Sequence, residues 1–211
     1  MKSFRNSLRL IFLLLTLAAL LPVFGSGGEA PTPPFVASIP IPSNWTVTVG
    51  EPKSASSSAT PRLVSSQFTY TASLRRAISV LSDGSRREDW LTKGYLITRQ
   101  NNFLYLLDAK REPLSTPLSG QTFAEFGWIS AANFTGKEKV RGHDCDLFRD
   151  GEMTAAIDTQ TKLPVQLTTS GEVSVYNFGE PEVLTLPSDC TERIASYRRE
   201  RDKLTVNRAP R

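Results

Sequence analysis

The sequence places one histidine beside two carboxylates, the combination best suited to metal binding in this chain. His143 is the single histidine of the 211 residues and stands in the run 142–146. A metal site here would use its imidazole with the carboxylates of Asp144 and Asp146. Adjacent residues on a strand point to opposite faces, however, and transition-metal sites usually combine several His or Cys ligands. The run therefore favours a solvated turn that leads into a strand, and neither a metal nor another cofactor is predicted.

Sequence motifs of known catalytic sites are missing as well. The chain contains no Gly-x-Ser-x-Gly nucleophile elbow, no phosphate-binding loop and no His-Glu-x-x-His zinc motif. Acidic residues are numerous, but no two of them are marked by their setting as a glycosidase-like pair. We therefore predict a non-enzymatic protein.

The first 28 residues have the three parts of a secretory signal peptide. Lys2, Arg5 and Arg9 form a basic start, residues 10–21 are apolar apart from one threonine, and small residues follow from Gly25. The alternative is a membrane anchor, which needs about 20 apolar residues and so fits this shorter run less well. We predict that residues 1–28 direct export to a periplasmic or extracellular location and are removed.

Charge is unevenly distributed along the chain. The formal charge is +4, from 25 basic and 21 acidic residues. Removing residues 1–28 takes away three basic residues and leaves +1, while residues 191–211 carry seven basic and three acidic residues, or +4. Residues 29–190 are therefore net −3, with 15 basic and 18 acidic residues. Because the excess basic charge lies at the two ends, nucleic-acid binding is not predicted.

Composition divides the rest of the chain into three parts. Residues 29–65 are rich in Pro, Ser and Thr and are predicted to be an extended linker, in which 45–49 alternate as a short strand would. Residues 66–194 are predicted to be a β-rich domain. Residues 195–211 are predicted to be a basic tail. It would be either a solvated disordered end, or a surface helix or arm that contacts an acidic membrane.

Strand patterns at regular spacing fill the predicted domain. Short alternating segments are separated by turn signals such as Asp83-Gly84, Asn101-Asn102 and Asp150-Gly151, and Asp158 is suited to an Asx turn. Ten strands are predicted, the last at residues 183–186. They predict a mainly β (α+β) protein built on a curved antiparallel sheet, barrel or half-barrel.

The run of strands is interrupted by residues 109–136. Prolines predict a loop first, and a short helix is then predicted over 123–134, with Thr122 as its N-cap and Glu125 in capping-box position. This is the most aromatic stretch after the signal peptide. A helix this short is not stable alone and must pack against the sheet as a lid.

Two cysteines, Cys145 and Cys190, complete the set of reactive side chains. An even number of cysteines in an exported chain predicts a disulfide. The bond would close about 45 residues and stabilise the fold by about 4 kcal/mol in the chain-entropy model. Two free thiols are the alternative, and the spacing is unlike a Cys-x-x-Cys redox site.

The later strands resemble a known family. The run Ile157-Asp158-x-x-Thr161-x-Leu163-Pro164-Val165, followed by residues 175–178 and 183–187, is similar to the bacterial lipoprotein-carrier superfamily of LolA, LppX and RseB-like half-barrels. The likeness covers about residues 66–190. It implies one antiparallel sheet bent around an apolar cavity that is lidded by helices and holds acyl chains. The amphipathic helix that precedes the first strand in that family is replaced here by the Pro/Ser-rich segment.

Two functions are compatible with these observations. The first is a carrier or sensor that binds a lipid or acyl group in a half-barrel cavity; the second is a secreted interaction module with a solid core and no ligand. Aromatic side chains of the domain are candidates for lining the cavity, although any of them could equally fill a core. The candidates are Trp90, Phe103, Tyr105, Phe123, Phe126, Trp128, Phe148 and Tyr176.

Overall fold

The computed structural model describes residues 29–41, 43–50, 61–108, 110, 118, 122–170 and 172–206. The predicted signal peptide at 1–28 lies outside the described residues. So do residues 51–60 of the predicted linker and most of the loop before residue 122.

Within these ranges, eleven strands form one curved and unclosed antiparallel sheet, which confirms the mainly β prediction. In chain order the strands are β1 (Ser43–Val49), β2 (Leu63–Tyr70), β3 (Leu74–Leu81), β4 (Arg86–Thr92), β5 (Tyr95–Gln100), β6 (Phe103–Asp108), β7 (Phe134–Val140), β8 (His143–Asp150), β9 (Met153–Asp158), β10 (Pro164–Thr169) and β11 (Glu172–Gly179). Their order across the sheet is β6-β5-β4-β3-β2-β1-β11-β10-β9-β8-β7. The sheet is thus two meanders joined where β1 pairs with β11.

The predicted turns are confirmed. Gly84 and Gly151 have φ values of +80° and +57°, and Asn101 and Asn102 have φ values of 49° and 66°. These positions need the left-handed region, which Gly and Asn enter most easily. Asp158 Oδ1 accepts hydrogen bonds from the backbone N–H groups of the second and third residues after it, at 2.9 and 2.8 Å.

The first strand corrects the linker prediction for residues 29–65. β1 is a central strand, because Trp45 lies opposite Phe68 of β2 and Phe178 of β11. The Trp45 side chain is 4% exposed and stacks on Phe68 at a ring-centroid distance of 5.0 Å. The prolines on either side gave the segment a linker composition, but its Trp-Thr-Val-Thr-Val alternation is what a sheet needs from a strand.

Most of the core lies on one side of the sheet, which we call the inner face. Inward side chains of both meanders form it, and residues from outside the strands cover it: Leu118, Phe123, Phe126 and the N-terminal segment 35–39. The helix predicted over 123–134 is wrong. Two single 3-10 turns, Ala124–Phe126 and Ala131–Asn133, take its place, and Phe123 precedes the first with φ 60° and without a side-chain cap. Burial of Phe123 and Phe126 against the sheet determines the backbone conformation of this segment, and it outweighs the helix propensity of the sequence.

On the opposite side, the outer face, helix α1 (Ser188–Val206) packs against β3–β6. Cys190, Ile194 and Tyr197 follow an i, i+4, i+7 spacing and pack with Trp90 and Ile97. Residues 195–206 are therefore helical, which agrees with the surface-helix alternative for the tail and not with a disordered end. The predicted strand at 183–186 is irregular chain that packs Leu184 and Leu186 into the same cluster.

The predicted disulfide is wrong, because Cys145 and Cys190 are both free and buried. Cys145 lies on β8 in a small cluster with Ala156 and Val165, whereas Cys190 lies in the first turn of α1 in the cluster with Trp90. The strands that carry these two clusters are far apart in the sheet order. A disulfide requires the two Cα atoms to lie within about 7 Å of each other, and two cysteines in separate clusters do not satisfy this requirement.

We predict that Trp45→Ala lowers the free energy of unfolding by about 3–5 kcal/mol, because it empties the centre of the inner-face core. Urea denaturation followed by circular dichroism measures this value. Val183→Ala is the control: Val183 is 92% exposed, and its replacement is expected to change stability by less than about 0.5 kcal/mol. Equal effects of the two changes would contradict the central position of β1.

We also predict two thiols that react only after unfolding. Burial raises the pKa of Cys145, and burial together with Asp189 raises the pKa of Cys190 to about 11, so little thiolate is present at neutral pH. Alkylation of the native protein without reductant should leave both cysteines unmodified, and denaturant should expose two. Disulfide-linked peptides found by mass mapping would contradict this.

Candidate functional site

A cleft of about 440 Å³ opens on the inner face. One wall is the N-terminal segment 35–41, and the other is the connection between the two meanders at 122–129. Its apolar lining consists of Phe35, Val36, Ile39, Ile41, Phe123, Phe126 and Ile129. The cleft exists because two irregular segments, rather than a continuous helix, cover this part of the sheet.

The N-terminal wall is held by contacts with the second meander, β7–β11. The backbone N–H of Ala37 donates to the carbonyl oxygen of Lys162 at 2.8 Å, in the turn between β9 and β10. The ring of Phe35 contacts Phe148 of β8 edge-on, with centroids 5.5 Å apart. Two short contacts thus position a segment whose prolines leave it few backbone donors.

The connection wall is held by aromatic packing and one polar contact. Phe123 and Phe126 both pack edge-on against Tyr176 of β11, at centroid distances of 6.3 and 5.3 Å. The Tyr176 hydroxyl donates to Glu125 Oε1 at 3.0 Å. Burial and the nearby Glu125 carboxylate raise the pKa of Tyr176, so the hydroxyl remains a donor at any physiological pH.

The floor of the cleft carries a cation. Arg75 of β3 lies directly opposite Tyr70 of β2, and its guanidinium carbon is 4.7 Å from the centre of the Tyr70 ring. Nη1 donates to the carbonyl oxygen of Leu118 at 2.7 Å. Burial raises the pKa of Tyr70, while Arg75 opposes that shift. No carboxylate among the described residues forms an ion pair with Arg75.

A second hollow of about 540 Å³ adjoins the first and shares Ile41 and Arg75 with it. Polar and apolar side chains line both hollows, and the second adds hydroxyls at Thr71, Ser73 and Thr92 and the ammonium group of Lys93. The two hollows are therefore two lobes of one site, which meet at Arg75 and place apolar side chains such as Phe35 and Phe126 beside the cations of Arg75 and Lys93. This arrangement matches the two ends of an amphiphilic molecule.

The structure divides the eight predicted cavity residues. Phe123 and Phe126 line the cleft. Phe148 and Tyr176 are buried in the inner-face core, and Trp128 packs against it. Trp90 lies on the outer face beneath α1, so its prediction as a residue of the same cavity is wrong.

The last two, Phe103 and Tyr105, lie on the edge strand β6 and are mostly exposed. Sequence reasoning missed the N-terminal wall and the cation at position 75. The apolar pattern Phe35-Val36-x-x-Ile39-x-Ile41 among the prolines could have indicated the wall.

The region around His143 forms a surface turn. His143 Nδ1 lies 3.1 Å from Asp158 Oδ2. Partial burial raises the pKa of Asp158, but the hydrogen bonds that its carboxylate accepts outweigh this effect and lower the pKa. Among the described residues, no group of three or more His, Cys, Asp and Glu side chains is placed to hold a metal ion.

Two solved structures are similar to parts of this chain. The lipoprotein LppX of Mycobacterium tuberculosis is similar at a TM-score of 0.39 and 9% identity, with 68% of this chain and 88% of that chain covered. A LolA superfamily protein from Nitrosomonas europaea is similar at a TM-score of 0.25 and 11% identity, with 70% and 87% covered. No family model matches the chain, and no curated protein matches it.

Proposed function

We propose that this protein is an exported, non-enzymatic carrier or sensor that binds a lipid or acyl group in the two-lobed cleft. The observation that carries the proposal is the placement of apolar side chains beside the cations of Arg75 and Lys93 in two adjoining lobes. Ligand sites are typically about 300–1,000 Å³, mostly apolar, with a few polar groups that fix orientation. The volumes of both lobes fall in that range.

In the proposed complex, the acyl chain lies against Phe35, Ile39 and Phe126, and the polar head lies near Arg75 and Lys93. Each methylene taken from water stabilises the complex by about 0.8 kcal/mol. A guanidinium suits a carboxylate or phosphate head because it offers paired donors in one plane. The proposed ligand is therefore an amphiphile with a single anionic head.

Export is part of the same proposal and rests on the pattern of residues 1–28. No helix in the described part of the chain is long and apolar enough to cross a bilayer. Contact with a membrane surface through the basic side chains of α1 remains a proposal too. Arg198 is less available for such contact, because it lies over the Tyr95 ring at 5.2 Å and donates to the Tyr95 hydroxyl at 3.2 Å.

A secreted interaction module with a solid core is the second candidate. It is favoured by the aromatic rings that fill the centre of the inner face. The ring centroid of Trp45 lies 4.8 Å from that of Tyr70 and 5.9 Å from that of Phe123. In that case the cleft would be a shallow surface feature, and acyl chains would not saturate it.

Saturable binding of a fluorescent fatty acid distinguishes the two. We expect Ile41→Glu to weaken binding about tenfold or more, because Ile41 borders both lobes and a carboxylate there repels an anionic head. Val183→Glu is the matched control: an exposed aliphatic residue away from the cleft, expected to leave binding unchanged. Absence of saturable binding to the wild type would favour the solid-core module.

The role of Arg75 is tested by comparing a fatty acid with the fatty alcohol of the same chain length. A charge-assisted hydrogen bond contributes about 1.5–3 kcal/mol, so the wild type should prefer the acid by at least about tenfold. Arg75→Gln should remove that preference. The measured quantity is the ratio of the two affinities within each variant. Loss of the hydrogen bond from Arg75 to Leu118 could loosen the fold, but it would weaken both ligands alike and leave this ratio unchanged. An unchanged ratio in Arg75→Gln would place the head elsewhere.

A further inference from the structure

Strand β6 is an edge of the sheet whose side chains are apolar on both faces. Its sequence, Phe-Leu-Tyr-Leu-Leu-Asp, has no charge before Asp108 and no proline. Within the described residues β6 pairs only with β5, so half of its backbone N–H and C=O groups point away from the sheet. A row of unpaired backbone groups is a template for another strand.

On the inner face, β6 exposes three apolar side chains in a continuous stripe. Phe103, Tyr105 and Leu107 are 65%, 57% and 38% exposed, and the two rings lie 6.4 Å apart. On the outer face, Leu104 and Leu106 extend the cluster beneath α1 up to the same edge. Contiguous exposed apolar surface of this kind marks an interaction site more often than a solvated face.

The other edge of the sheet is protected against pairing. β7 carries Lys137, Glu138 and Lys139 in succession, and its register shifts at Gly136, where φ is 147°. Charged side chains and a bulge are the devices by which natural edge strands avoid association. The contrast between the two edges indicates that β6 is left open for a partner.

We propose that β6 pairs antiparallel with β6 of a second copy of this chain, about a two-fold axis at Tyr105. In this register Phe103 lies opposite Leu107 of the second copy on the inner face, and Leu104 lies opposite Leu106 on the outer face. All five positions from 103 to 107 are matched apolar with apolar. Asp108 lies opposite Asn102, so the carboxylates of the two copies do not face each other.

Neighbouring registers are less favourable. An axis at Leu106 would place Asp108 opposite Leu104 of the second copy, between two apolar side chains. Asp108 already accepts hydrogen bonds from Tyr197 and from the backbone of Lys110, at 3.3 and 3.0 Å, which hold it at the outer end of the strand. Self-complementarity about a two-fold axis is the usual geometry of homodimers, and it selects the second copy as the occupant.

The test is cross-linking that depends on register. Residues on a two-fold axis of an antiparallel pair have Cα atoms about 4.5–5.5 Å apart, within disulfide range. Tyr105→Cys should give a disulfide-linked dimer under mild oxidation. Phe103→Cys alone should not, but a mixture of Phe103→Cys with Leu107→Cys should. The wild type, whose own cysteines are buried, and Glu138→Cys on the protected edge are controls.

Sedimentation velocity over a concentration series gives an independent measurement. The wild type should dimerise reversibly, and Tyr105→Lys should raise the dimer dissociation constant at least about tenfold while leaving the circular dichroism spectrum unchanged. A wild type that is monomeric throughout, or a Glu138→Cys variant that cross-links as readily as Tyr105→Cys, would overturn the proposal. A dimer that tolerates Tyr105→Lys and does not cross-link at position 105 would also overturn it. The dimer would then form through another surface, or residues of the same chain would cover β6.

Discussion

The pairing of β1 with β11 is the contact on which the rest of the structure depends. It is the one place in the described sheet where neighbouring strands are not consecutive in sequence. Without it, β1–β6 and β7–β11 would be two separate meanders, each with an additional open edge. Because β1 and β11 come from distant parts of the chain, closing this contact carries a large loop-entropy cost, and stacking of Trp45 between Phe68 and Phe178 offsets it.

The same contact explains where sequence reasoning succeeded and where it failed. Strands joined by short turns could be predicted, because Asp83-Gly84 and Asp150-Gly151 mark them locally. β1 carries no such mark: its alternation was visible, but only a partner far along the chain makes it central. β7 was missed for the opposite reason, because an edge strand with Lys137, Glu138 and Lys139 has little apolar alternation to detect.

Composition also misled at the C-terminus. α1 has three inward positions, Cys190, Ile194 and Tyr197, among many charged residues, so its sequence is typical of a solvated tail. The packing surface that selects those three positions is supplied by β3–β6. The disulfide prediction was wrong for the same reason: tertiary packing cannot be inferred from composition. The number of cysteines does not indicate which buried cluster each cysteine joins. Cys145 and Cys190 are each used as a small buried side chain.

The candidate site follows from how the inner face is covered. A sheet face of this size needs a cover, and here the chain supplies two irregular ones, the segment 35–41 and the connection 122–129. Their aromatic ends, Phe35 and Phe126, fill the core, and the space between them remains as the cleft. Irregular covers held by a few contacts can separate at lower cost than a packed helix, since little regular backbone hydrogen bonding is lost. The solid centre and the open cleft are thus compatible: the aromatic core holds the sheet together, while the cleft lies between its two irregular covers.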